Sequence, residues 1–81
     1  MPVVFRHGAF RVFFYSNEGM PREPKHVHVR RGSDEAKIWL EPAVAIAETA
    51  GFNAKTLREI AELVSQRRDE IESTWNDHFG D

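Results

Sequence analysis

The sequence of 81 residues contains no cysteine. That excludes disulfides, thiolate zinc sites and a cysteine nucleophile. It has no apolar run near the ~18 residues a membrane span needs. Its start, Met1-Pro2-Val3-Val4-Phe5-Arg6, lacks the apolar stretch of a signal peptide. These absences predict a soluble cytoplasmic protein. No phosphate loop, dinucleotide fingerprint, zinc-protease helix or nucleophile elbow occurs, which removes the commonest enzyme classes and leaves room for a small nuclease. Nothing calls for a cofactor. The length suits one domain over residues 1–81. Such a domain buries only about 60% of its unfolded surface, so a partner chain often contributes to its stability.

Net charge is also small, at −2, but it hides a division. Residues 1–40 carry seven basic and four acidic side chains, and residues 41–81 carry four and nine. The chain thus reads as a basic, aromatic-rich β part over residues 1–42 and an acidic helical part over residues 51–80. Such a split suggests two faces with different partners.

Val3-Val4-Phe5, ended by Arg6-His7-Gly8, predicts a first strand and a turn. Phe10 to Tyr15 predicts a second strand, with Phe10, Val12 and Phe14 on one side. Ser16-Asn17-Glu18-Gly19 is a turn signal, and Pro21 and Pro24 keep the rest of the Ser16–Lys25 loop irregular. His26-Val27-His28-Val29-Arg30-Arg31 alternates with the period of a half-buried strand. Gly32-Ser33-Asp34 predicts a tight turn and Ala36 to Leu40 a fourth strand, ended by Pro42. Ala43 to Ala50 suits a strand-like segment. Asn53 reads as a helix N-cap with Phe52 as its apolar staple. Beyond it Leu57, Ile60, Ala61, Val64, Arg68, Ile71, Trp75 and Phe79 form one stripe, with Leu63 off it and Gly80 as terminator. The fold class is α+β: an antiparallel sheet of four or five strands with one or two C-terminal helices packed on one face.

If the apolar residues of these strands pack under the helices, the far face of the sheet carries Arg11, Phe13, Tyr15, His26, His28, Arg30, Lys37 and Trp39. With Arg31 counted in the same surface, exposed aromatics interleaved with basic groups suit base stacking and phosphate binding, or a protein partner, or self-association. His26, His28 and Arg30 are the candidate catalytic set. A histidine would serve as general acid or base while Arg30 or Arg31 holds a phosphate, as a metal-independent ribonuclease needs. His26-x-His28 could instead contribute two ligands to a metal, although a closed site needs others, and only His7, His78 and scattered carboxylates are on offer. The plain alternative makes both histidines ordinary strand residues. Trp75 and Phe79 are assigned to the core.

Several motifs, in this order, carry a resemblance. They are Met1-Pro2-x-x-Phe5-Arg6, Phe14-Tyr15-Ser16-Asn17-Glu18-Gly19 and Pro24-x-His26-Val27-His28-Val29. Ala36-Lys37-Ile38-Trp39-Leu40-Glu41-Pro42, Gly51-Phe52 and Trp75-Asn76-x-x-Phe79-Gly80 complete the set. Together they resemble the domain of unknown function 4160 family across essentially the whole chain, with Arg22 and Lys25 making the proline-containing loop more basic. The resemblance implies a short bacterial or archaeal protein, often encoded beside a small protein of the domain of unknown function 2442 family. That pairing implies a two-gene module like a toxin and its antitoxin. This chain would be one component, toxin-like, acting through a small cognate partner. It implies no catalytic residue.

Overall fold

The computed structural model describes residues 3–15 and 23–80. The expected turn at Ser16-Asn17-Glu18-Gly19, with Pro21 and Arg22, lies outside them. Five strands and two helices follow in chain order: β1 (Val3–His7), β2 (Phe10–Phe13), β3 (His26–Arg31), β4 (Asp34–Trp39), β5 (Ala45–Ala50), α1 (Ala54–Gln66) and α2 (Arg68–Phe79). The strands form one antiparallel sheet in the order β1-β2-β3-β4-β5. The α+β expectation is met, and the strand-like reading of Ala43 to Ala50 becomes the edge strand β5. The second strand stops two residues earlier than expected, and the fourth starts two earlier, at Asp34.

Hairpin β3–β4 owes its register to a two-residue turn, Gly32-Ser33. Gly32 has a φ of 61°, the left-handed value that such a turn demands and that a side chain would strain. Arg31 then faces Asp34, and pairing runs without a slip to His26 opposite Trp39. Gly8-Ala9 does the same for β1 and β2, placing His7 opposite Phe10 and Arg6 opposite Arg11.

One face of the sheet packs on the helices. Val12, Phe14, Val27, Val29, Ala36, Ile38 and Leu40 meet Phe52, Ile60, Val64, Ile71 and Trp75 in a common core. Each such side chain contributes roughly 1.5–3 kcal/mol by leaving water, which outweighs exposed ion pairs worth roughly 0–1 kcal/mol. Asn53 caps α1 as expected, its Oδ1 accepting from the Thr56 backbone N–H at 2.8 Å. Gly80 ends α2 in the left-handed conformation, with its N–H on the Asn76 carbonyl at 2.8 Å.

Leu63, expected off the apolar stripe, belongs to the core. The chain breaks at Arg67, whose backbone N–H closes α1 on the Leu63 carbonyl. Leu63 follows Ile60 by three positions, so it lies on the same helical face as Ile60 and Val64. The buried side of α1 is Thr56, Ile60, Leu63 and Val64. Arg67 ties the joint to the first strand. Its guanidinium sits 3.5 Å over the Phe5 ring and grips Glu70 through two hydrogen bonds of 2.8 and 2.9 Å.

Candidate functional site

The alternation of β3 sends Val27 and Val29 into the core and His28 and Arg30 to the helix-free face. Cross-strand pairing extends that choice to the neighbours. One row across the sheet reads Arg6, Arg11, Arg30, Glu35, Ala50; the next reads Phe13, His28, Lys37, Glu48; a third reads His26, Trp39, Ala45. The predicted far-face residues are therefore brought together, with two corrections.

The first concerns exposure. Phe13 and His26 are fully buried and His28 is 7% exposed. Phe13 stacks on His28 at 5.6 Å, Tyr15 stands edge-on to His28 at 4.6 Å, and His26 touches His28 at 5.3 Å and Trp39 at 5.6 Å. The rings cover one another instead of lying open. His26 also meets Trp75 of α2 at 5.2 Å, and its Nδ1–H donates to the Pro24 carbonyl at 2.9 Å. Among the described residues, Val3 is the one large apolar side chain that stays exposed.

The second correction is Arg31. Being odd-numbered in β3, it points with Val27 and Val29, and its guanidinium lies 5.3 Å from the Phe10 and Phe52 rings. It seals the core side, near Asp34 at 3.9 Å, and does not join the surface of Arg11 and Arg30.

At the centre of the helix-free face sits a carboxylate absent from the sequence-based set. Glu35 accepts the Tyr15 hydroxyl at 3.2 Å to each oxygen, and lies 3.8 Å from His28 Nδ1 and from Arg30 Nη1. The last two separations are too long for hydrogen bonds, and the one to Arg30 is an ion pair. A carboxylate beside an imidazole can hold the ring's orientation, as general acid–base catalysis requires. His28 and Glu35 open on a recess of about 160 Å³ whose other walls include Lys37, Glu48 and Thr49. That space admits a compact polar group, not a whole nucleotide. Lys37 donates from Nζ to Glu23 at 3.0 Å and lies 4.5 Å over the Trp39 ring, covering a surface expected to be open for stacking.

The other end of the face is cationic. Arg6, Arg11 and Arg30 border a shallow recess of about 320 Å³ beside Ala9 and Gly32. Arg6 was missed in the sequence because its position depends on the β1–β2 register. The signal was the two-residue Gly8-Ala9 turn, which fixes that register. As for a metal, no three His, Asp or Glu side chains among the described residues gather closely enough to share one. His26 and His28 adjoin, but His26 presents a ring shut from solvent. Among the described residues no helix is long and apolar enough to cross a membrane.

A family model described as a domain of unknown function (DUF4160) matches residues 9–76, from the β1–β2 turn to near the end of α2. No curated protein and no solved structure matches the chain.

Proposed function

The chain belongs to the domain of unknown function 4160 family, and from that premise we propose that it is the toxin-like component of a two-gene bacterial module, working through a small partner protein. The observation that carries this reading is the division of the sheet. One face is committed to the helices, while the other gathers charges of both signs around two recesses. A face with so little exposed apolar area meets its partner through charge, so association is fast, specific and sensitive to salt. The test is growth after induced expression, with and without the neighbouring gene, together with co-purification of the two products. Arrest relieved by the neighbour, and a complex that elutes as one species, is the expected outcome. Full growth in every strain together with chains that elute apart would sink the reading.

The Tyr15–Glu35–His28 cluster favours a second reading, a metal-independent ribonuclease in which His28 is the acid–base group and Glu35 orients it. Cleavage of RNA in the presence of a chelator, lost in His28→Ala, is its signature. Equal cleavage by wild type and His28→Ala would remove it.

A further inference from the structure

Arg6 lies directly opposite Arg11, and Arg11 directly opposite Arg30, on one face of three adjacent strands. Like charges paired across strands are destabilising, so two such pairs in sequence work against the sheet unless an anion sits among them. The row ends at a single carboxylate, Glu35, which Tyr15 and His28 also approach. Of the three arginines, Arg30 is the one Glu35 approaches among the described residues, at 3.8 Å. Arg30 has its Nε on the Gly32 carbonyl at 2.9 Å, which sets the direction of its guanidinium. Arg11 lies 4.9 Å over the Phe13 ring, and its Nε is out of solvent with no hydrogen-bond acceptor among the described residues. The three border the recess of about 320 Å³.

We propose that Arg6, Arg11 and Arg30 form a binding site for the phosphate groups of a single-stranded nucleic acid. Strands lie about 4.8 Å apart, so the row spans about 10 Å, room for more than one phosphate along a strand. All three are arginines, whose planar forks match phosphate oxygens through paired hydrogen bonds as lysine's point charge does not. A sheet face can receive a single strand whose bases lie splayed across it. Tyr15, half-buried, stands on the same face, while Lys37 covers the Trp39 ring. The inference deepens the ribonuclease reading by naming where its substrate is held. Its test reads binding alone, so a chain that binds without cleaving fails that reading and not this one.

The experiment is fluorescence anisotropy with a labelled oligouridylate of about 12 nucleotides, titrated with wild type from about 50 to 200 mM salt. Three phosphate contacts on a single strand predict a slope of log K against log salt of about −2, and Arg6→Gln or Arg30→Gln each flattens it by about 0.7. Arg6→Lys keeps most of the slope, and Arg58→Gln on α1 leaves it unchanged. Thermal melts confirm that each variant folds. Should Arg11→Gln unfold, the exposed Arg6 and Arg30 carry the test. Absence of binding at low salt overturns the proposal, as does a slope untouched by Arg6→Gln and Arg30→Gln. So does polyglutamate binding as tightly, or inorganic phosphate competing at the same phosphate concentration as the oligonucleotide.

Discussion

At the Gly8 and Gly32 end of the helix-free face three guanidinium groups stand side by side; at the Tyr15 and Trp39 end five rings shield one another. Both ends are products of the same alternation on the same strands. They differ in what a neighbour can do for a side chain. Rings set across strands satisfy each other by contact, and once Phe13, His28 and His26 are stacked they are removed from solvent. Arginines set across strands repel one another, and among the described residues the carboxylate near them is Glu35, 3.8 Å from Arg30. Side-chain type alone, under one periodicity, separates a part of the face that stabilises the fold from a part whose like charges work against it.

This contrast can be tested by substitution at each end. The largest effect is expected for Phe13→Ala, which empties a fully buried ring site and should cost about 3–5 kcal/mol, read by urea denaturation. A loss below about 1 kcal/mol would mean that the ring cluster is not a packed unit. His26→Phe keeps a ring but strands the Pro24 carbonyl, and should cost about 1–3 kcal/mol. An unchanged midpoint would show that the Nδ1 bond contributes nothing. Tyr15→Phe removes the hydroxyl from a half-exposed Glu35 and should cost about 1 kcal/mol, with the melting temperature as readout. Smallest, and opposite in sign, is Arg6→Gln. Relief of like-charge pairing should leave stability unchanged or raise it by a few tenths of a kcal/mol. A clear destabilisation there would mean that the row is structural, and the two ends would no longer differ in kind.

Much of the architecture was legible because it rests on local signals. Asn53 with Thr56, Gly80 after Phe79, and Gly32-Ser33 between two alternating runs each act within a few residues. The misses are those that depend on a choice made elsewhere. Leu63 is the exception, since it follows Ile60 by three positions and the helical period alone places it on the buried face. Arg31 was read by charge, although strand parity had already turned it toward the core. Arg6 and Glu35 become neighbours of Arg11 and Arg30 only after two hairpin registers are set together. The burial of Phe13 and His26 could not be read from alternation, which separates the two faces of a sheet but is silent on whether either face is covered.

The pairing of every strand with its neighbour in sequence has a consequence for how the molecule is made. No strand waits for a distant one, so the sheet's own contacts are local, whereas Phe5 meets Arg67 and Phe14 meets Trp75 only when the two ends of the chain come together. The order of synthesis still matters, because the two helices that roof Val12, Val27, Val29 and Ile38 come last. A nascent chain that has assembled its sheet displays that apolar surface unroofed until α2 emerges. The vulnerable species is therefore a late one, and chaperone capture or aggregation should peak in chains stalled after Ala50 and subside once Trp75 has left the ribosome.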